Sequence, residues 1–238
     1  MDDPYGVDPS SASGADTFGI HCDFCHKIAD VRLDPATGLP HPNQPGVLSM
    51  DIRRPFPDDP DRYQLFFGPF DDDNVPEEDT YLPLIRQSAF CAPCHQFDDA
   101  GLSVNGKPLE NTYVEWQDSR YAREGVTCQD CHMPDKSHGF KGIHDRETTR
   151  RGLRVQAWRV PDGLQVRAGN VGAGHALPTY VTPRILIRLE GVGGAPSREH
   201  VIARRMHWTL EAGWEELADD RLSPDQWIEL LLSLPPQA

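Results

Sequence analysis

The pentapeptides CDFCH (22–26), CAPCH (91–95) and CQDCH (128–132) contain all six cysteines of this 238-residue chain. Each has the pattern C-x-x-C-H, the attachment signature of haem c. The two thiols of a motif can add to the two vinyl groups at one porphyrin edge, and the adjacent imidazole can then ligate the iron. We therefore predict three covalently bound haem c groups. Their attachment residues are Cys22, Cys25, Cys91, Cys94, Cys128 and Cys131, and their proximal iron ligands are His26, His95 and His132.

Other uses of paired cysteines fit this pattern less well. A disulfide-stapled secreted domain would scatter its cysteines and would not need a His after each pair. A zinc site made of two C-x-x-C pairs would leave the third pair and the three adjacent histidines without a role. A thioredoxin-like redox motif is single and lies in a βαβ pattern, which this sequence lacks. The repeated motif therefore indicates haem attachment.

The composition indicates an acidic protein with a small aliphatic core. Hydrophobic residues make up 38% of the chain, and 22 prolines and 20 glycines favour turns and irregular backbone. The formal net charge of −14 argues against binding to nucleic acid, whose phosphates would repel it. It suits a chain that docks onto basic patches of other redox proteins or cytochromes.

The ends of the sequence lack targeting and membrane-spanning segments. Met1 is followed directly by Asp2 and Asp3, without the basic and apolar stretches of a secretory signal. The apolar run Trp227–Leu234 is too short to span a membrane and contains an acid. Covalent haem attachment takes place outside the cytoplasm. We therefore interpret the sequence as a mature or trimmed form, and expect a periplasmic or extracellular, cell-surface location.

The pattern along the chain predicts an α+β fold with three regions. Residues 1–20 are polar and predict an extended arm. Residues 21–150 contain the three motifs and predict a trihaem-binding domain of short helices and long loops. In residues 152–238 apolar and polar residues alternate between Gly- and Pro-containing turns, which predicts a small antiparallel, sandwich-like β domain. The trihaem domain is expected to contain a long Pro-rich acidic loop and two short helices, at 34–79, 83–90 and 112–123.

Several segments outside the cysteines match the pattern of a known family. They are GIHCDFCHKI (19–28), TYVEW (112–116), GVTCQDCHMP (125–134), SHGFKGIHD (137–145), NVGAGHALPTY (170–180) and DDRLSP (219–224). With these segments the chain resembles the multihaem c-type cytochromes of bacteria and archaea, from residue 19 to about 221. C-x-x-C-H is specific to haem c in general, whereas SHGFKGIHD and GAGHALP are specific to this family.

The resemblance implies a second, distal histidine for each iron. It selects His138, His144 and His175, the last of them contributed by the predicted β domain. Gly139 and Gly142 make the segment with the first two histidines flexible enough to serve two irons. Gly172 and Gly174, beside His175, would likewise let the backbone approach a flat macrocycle.

Other histidines leave alternatives open for the distal positions. His41 follows the first motif in the predicted loop, and His21 could reach only a neighbouring haem. His200 and His207 lie on predicted strands and are expected to be structural. Relatives often carry a distal His where this chain has Ile85. Either a haem that needed that His is absent, or one iron is five-coordinate or completed by another subunit.

These predictions lead to three hypotheses about function. Two histidines on each iron leave no vacant position, so the first hypothesis is an electron carrier that relays electrons through three bis-His haems. The second is an oxidoreductase in which one open haem acts on a small nitrogen or sulfur compound. The third is an assembling subunit, of a respiratory complex or an extracellular cytochrome filament, in which the β domain docks to neighbours.

Overall fold

The computed structural model describes residues 20, 22–53, 66–71, 80–97, 103–104, 106–161, 163–190 and 197–233. Its helices are few and short and its sheets are small and antiparallel, which confirms the predicted α+β class. The predicted arm (1–20) falls outside the described residues apart from Ile20, and the domain limits at 150 and 152 stay predictions. In the described part of the chain, no helix is both long and apolar enough to cross a membrane.

The N-terminal part of the chain consists of short helices and two small hairpins joined by loops. Strand β1 pairs with β2, and β3 pairs with β4, both in antiparallel orientation. Ile28, Val31 and Met50 are buried where β1 meets β2, and we call these residues the β1 cluster. The elements in chain order are α1 (Cys22–Cys25), β1 (Ile28–Val31), β2 (Met50–Ile52), α2 (Ala92–His95), β3 (Ser103–Val104), β4 (Lys107–Pro108), α3 (Thr112–Gln117), α4 (Arg120–Arg123), α5 (Cys128–His132) and α6 (Arg146–Gly152).

Two helices predicted from the sequence differ in detail from the structure. The segment 83–90 forms two 3-10 turns instead of one helix, because the backbone of Gln87 between them is extended (φ −102°, ψ 142°). The helix predicted over 112–123 is divided into α3 and α4. Ser119 has an extended backbone there, and its side chain accepts a hydrogen bond from the Ala122 N–H, so it caps α4.

The acidic loop predicted over 34–79 also contains regular structure. A 3-10 turn at Gly46–Ser49 leads directly into β2. Strand β2 has three residues, too few to show an alternating pattern in the sequence. Its pairing with β1 defines it as a strand.

The C-terminal part of the chain consists of antiparallel strands around a small core. Strand β6 is the centre of a three-stranded sheet with the order β11-β6-β5, and β7 pairs with β8 and β9 with β10. Ala168, Ile202 and Leu222 are fully buried, and side chains from β5, β7 and β11 pack against them. The strands are β5 (Leu153–Val160), β6 (Gly163–Asn170), β7 (Ile185–Leu189), β8 (Arg198–Ile202), β9 (Arg204–Thr209), β10 (Gly213–Asp219) and β11 (Trp227–Ser233).

The strands predicted from alternation are present, but β10 and β11 are not evident from the sequence pattern. In β11 the run Ile-Glu-Leu-Leu-Leu does not alternate, and in β10 two glutamates are adjacent. Both are strands because of their neighbours. Strand β11 pairs along its whole length with β6, and in β10 Trp214 lies opposite Trp208 of β9.

A buried ion pair connects the C-terminal strands to the β3–β4 hairpin. The guanidinium of Arg204 donates to Glu216 Oε2 at 2.6 Å and to the Pro108 carbonyl at 2.5 Å, and its side chain is 1% exposed. Lys107 Nζ also donates to Glu216, at 2.7 Å. Burial raises the pKa of Glu216, but hydrogen bonds from Lys107 and Arg204 outweigh this effect and hold the pKa below its ordinary value. Glu216 therefore stays charged and compensates the buried guanidinium.

We expect Glu216→Leu to lower the free energy of unfolding by about 3–5 kcal/mol, because it leaves the buried charge of Arg204 unpaired. The double variant Arg204→Met/Glu216→Leu removes both charges and should recover most of that loss. Glu199→Leu breaks an exposed pair with Arg188 and should cost less than about 1 kcal/mol. Denaturant unfolding measures all three variants. Equal destabilisation by the single and double variants would show that lost packing is the cause.

Candidate haem-binding site

Each C-x-x-C-H motif forms one helical turn. Helices α1 and α5 begin at the first cysteine of their motifs, and α2 begins one residue after Cys91. The N–H groups of His26 and His95 donate to the carbonyls of Cys22 (3.0 Å) and Cys91 (3.1 Å). Residues three and four apart lie on the same face of a helix. Both thiols and the imidazole of a motif are therefore on one side of the turn, as attachment to one porphyrin edge requires.

Helix α5 is held at its start by a capping box. The Thr127 side chain accepts from the Asp130 N–H, and the Asp130 carboxylate accepts from the Thr127 N–H at 2.8 Å. These two residues are the T-x-x-D inside the GVTCQDCH segment, a capping signal that the sequence analysis missed.

The three motifs lie next to one another. Phe24 of the first motif and Cys94 of the second pack on the same β1 cluster. The Cys128 N–H of the third motif donates to Ser88 Oγ, just before the second motif, at 3.0 Å. A hydrogen bond between the thiols of Cys91 and Cys128 raises the pKa of Cys91 and lowers that of Cys128 to about 7. The second motif therefore lies between the first and the third.

The backbone at Ile85, where the resemblance leads us to expect a distal His, contacts the third motif. Its carbonyl accepts a hydrogen bond from Gln129 Nε2 of α5 at 2.7 Å, and the same amide donates to the Gln87 carbonyl at 2.9 Å. The segment before the second motif therefore docks the third motif through its backbone.

Backbone carbonyls orient two of the histidines predicted as proximal ligands. His26 Nδ1 lies 2.6 Å from the Phe67 carbonyl, and His132 Nδ1 lies 2.6 Å from the Lys141 carbonyl. A carbonyl can only accept, so Nδ1 carries a proton in both rings, and in the neutral form of each ring Nε2 has the lone pair. An imidazole fixed in this way is the usual arrangement of a metal-ligating histidine.

Two histidine pairs have the separation that an iron between them requires. The rings of His26 and His138 have centroids 6.1 Å apart at an interplanar angle of 36°. The rings of His132 and His175 have centroids 6.1 Å apart and are nearly parallel, at 16°. A ring nitrogen binds a metal at about 2 Å and the ring centre is roughly 1 Å further out, so two imidazoles on opposite sides of one metal have centres about 6 Å apart. Both centroid distances therefore match the one expected for two imidazoles that bind the same iron.

His175 lies in the loop between β6 and β7, and buried Asn170 fixes this loop. The Asn170 amide donates to the carbonyls of His175 (2.8 Å) and Leu222 (3.1 Å), and its oxygen accepts from the Ala173 N–H. His175 Nδ1 lies 3.0 Å from the Ala176 carbonyl, which leaves Nε2 free. Burial lowers the pKa of His175, so the ring is neutral and can donate a lone pair.

Residues from two other matched segments hold the same loop. Glu115 of TYVEW accepts a hydrogen bond from the Ala176 N–H at 2.9 Å. Arg221 of DDRLSP forms an ion pair with Glu115 at 3.2 Å and donates to the Thr179 carbonyl at 3.1 Å. The sequence analysis did not assign roles to Glu115, Asn170 and Arg221, although all three lie in segments that carry the family resemblance.

The glycines beside His175 have protein neighbours in this structure. A Cβ on Gly172 would lie 2.2 Å from the Arg151 carbonyl oxygen, and one on Gly174 would lie 3.1 Å from the Trp116 ring. Their small size therefore allows the His175 loop to pack against α3 and the end of α6. The approach to a macrocycle expected from the sequence stays a prediction.

His95 and His144 have surroundings that differ from those of the other predicted ligands. His95 Nδ1 lies 3.7 Å from Glu110 Oε1, and this carboxylate raises the pKa of His95. His144 is exposed, with Nε2 3.3 Å from the Gly139 carbonyl. Within the described ranges, neither ring faces another imidazole. His144 as the third distal ligand therefore stays a prediction.

The remaining histidines are distributed over both parts of the chain. His41 is partly buried in the loop after β1, His200 lies on β8 and His207 lies on β9, as predicted for the last two. His21 falls outside the described residues. All six cysteines are free, and in the described part of the chain no three His, Cys, Asp or Glu residues converge as a metal cluster would require.

Comparison with known proteins identifies a similar solved structure. No family model matches the chain, and no curated protein matches it. The chain is similar to the crystal structure of a penta-heme cytochrome c552 from Thermochromatium tepidum, with a TM-score of 0.62 and 20% sequence identity. The similarity covers 95% of this chain and 68% of that one. The chain therefore has the fold of a multihaem c-type cytochrome.

We expect Asn170→Ala to displace His175 and to destabilise the protein by about 2 kcal/mol, because it leaves buried backbone groups without partners. Unfolding by denaturant measures the stability. Gln165→Ala is a matched control, since Gln165 lies on the same strand but its amide bonds an exposed Glu229. A variant as stable as the control would show that Asn170 does not hold the loop.

Proposed function

We propose that this protein is an electron-transfer cytochrome that relays electrons through three covalently bound haem c groups. The observation that carries the proposal is the pairing of His26 with His138 and of His132 with His175, both at 6.1 Å between ring centroids. The three C-x-x-C-H turns add the attachment chemistry. A fold shared with a penta-heme cytochrome c552 supports the same conclusion.

The residues of the chain have distinct roles in this proposal. Haem c, when bound, supplies a one-electron iron couple. The paired thiols of each motif would attach the porphyrin, and His26, His95 and His132 would be iron ligands. His138 and His175 would each supply a second nitrogen ligand to one iron, with His144 proposed for the third. Two nitrogen ligands on each iron would exclude small molecules and would need little rearrangement when the charge changes.

The packing of the three motifs favours a relay within the chain. The second motif shares the β1 cluster with the first and a thiol contact with the third. Groups attached there are neighbours, so electrons can pass along the series 1–2–3 without leaving the protein. The net charge of −14 favours the oxidised state of each centre and docking onto basic surfaces of other redox proteins.

The proposed location follows from the attachment chemistry. Because haem c is attached outside the cytoplasm, we propose a periplasmic or extracellular setting. The partners would be other cytochromes, a respiratory complex, or further copies of the chain in an assembly.

One observation favours a second candidate function. Within the described ranges no imidazole faces His95, and its Nδ1 contacts a carboxylate in place of a carbonyl. If the second iron has an open position, it could reduce or oxidise a small nitrogen or sulfur compound there.

The absorption spectrum of the reduced protein, with and without CO, separates the two functions. We expect a c-type α band, a haem content of three per chain by pyridine haemochrome, and no change on adding CO. A CO-dependent shift of part of the Soret band would identify an open iron and favour the enzyme. A content other than three would contradict the proposed relay.

We expect His138→Ala and His175→Ala each to open one iron, because each removes one ring of a pair. About a third of the haem should then bind CO, by the ratio of one iron in three. His207→Ala is the control, since His207 is exposed on β9. CO binding in the control, or its absence in both ligand variants, would contradict the proposed ligation.

A further inference from the structure

The three proximal histidines differ in the acceptor that faces Nδ1. His26 faces the carbonyl of Phe67 and His132 faces that of Lys141, both at 2.6 Å. His95 faces the carboxylate of Glu110 at 3.7 Å, which is an ion-pair distance and longer than a hydrogen bond. Two centres therefore have a backbone carbonyl beside Nδ1, and the second centre has a carboxylate.

Glu110 is fixed close to His95. Its side chain is 10% exposed, and its carbonyl accepts a hydrogen bond from the Phe97 N–H at 2.9 Å. The Thr112 hydroxyl donates to the carboxylate and also bonds Thr179 of the loop after His175. The carboxylate therefore has little freedom to turn towards water.

We propose that Glu110 lowers the reduction potential of the second haem, so that electrons passing along the relay meet a change in reduction potential at the middle centre. This inference rests on the proposed function. A carboxylate that faces the Nδ1–H makes the imidazole more basic, which stabilises ferric iron. Its charge, carried on a side chain that is 10% exposed, adds to the effect. A backbone carbonyl has only a partial charge, so the first and third centres lack this contribution.

The test compares Glu110→Gln with wild type in a spectroelectrochemical titration. The substitution keeps the shape of the side chain and removes its charge. We expect the midpoint potential of one of the three redox waves to rise by at least about 59 mV, which is a tenfold change in the equilibrium constant for one electron. The midpoint potentials of the other two waves should change less. The wave is assigned with His95→Met, since a Met ligand raises the potential of its own haem.

Two further variants separate a specific effect from a structural one. Glu124→Gln removes an exposed carboxylate near the third motif and should leave the middle wave in place. Thr112→Val removes a hydrogen-bond donor to the Glu110 carboxylate, so the carboxylate interacts more strongly with His95. The midpoint potential of the same wave should therefore fall. Opposite shifts from Glu110→Gln and Thr112→Val are not expected from a general loss of structure.

The outcomes decide between the inference and its alternatives. If Glu110→Gln changes all three midpoint potentials equally, or changes none of them, the inference is overturned and the proposed relay is unaffected. If Glu110→Gln fails to fold, the inference is overturned when the midpoint potential of the middle haem in Thr112→Val is unchanged or raised. EPR spectra of the ferric state should be unchanged, which shows that the ligands are retained. Wild-type protein without covalent haem would instead overturn the proposed function.

Discussion

The orientation of the histidines depends on the groups that face their Nδ1 atoms. For His26, His132 and His175 this group is a backbone carbonyl, which places the proton on Nδ1 and leaves the lone pair on Nε2. The ring then has one direction in which it can bind a metal. Because these carbonyls belong to loops, the orientation of the imidazole rings depends more on the irregular segments than on the regular sheets.

The C-terminal strands act on the site through one loop. Asn170 at the end of β6 bonds the backbone on both sides of His175, and the Glu115–Arg221 ion pair connects the loop to α3. A buried amide with all its hydrogen bonds made defines a single backbone arrangement. The β region therefore delivers one imidazole to the third motif with a fixed position and angle.

Packing of the motifs gives the proposed relay its order. The first two motifs share an apolar cluster, and the last two are joined by a Cys91–Cys128 thiol contact. The environment of each centre differs although the motifs are nearly identical. The middle one has a carboxylate where the others have carbonyls, which is a difference in charge and therefore in the energy of the oxidised state.

The sequence by itself determined the α+β character of the chain, and it predicts the class of cofactor and the attachment residues. Thioether formation needs two thiols and an imidazole within one helical turn, so a local motif contains all of that information. It also indicated the β region, because alternation in β5 to β9 is local too. Short strands such as β2, and the non-alternating β10 and β11, escaped detection because only pairing defines them.

The tertiary structure alone decided which histidines face each other and what orients them. His26 and the Phe67 carbonyl are 41 residues apart, and Ala176 and Glu115 are 61 apart. No local pattern connects residues at such separations. The resemblance implies His138 and His175 as distal ligands, and only the coordinates place them next to His26 of the first motif and His132 of the third. The carboxylate beside His95 was likewise invisible in the sequence, because the chain brings Glu110 to it only through the fold.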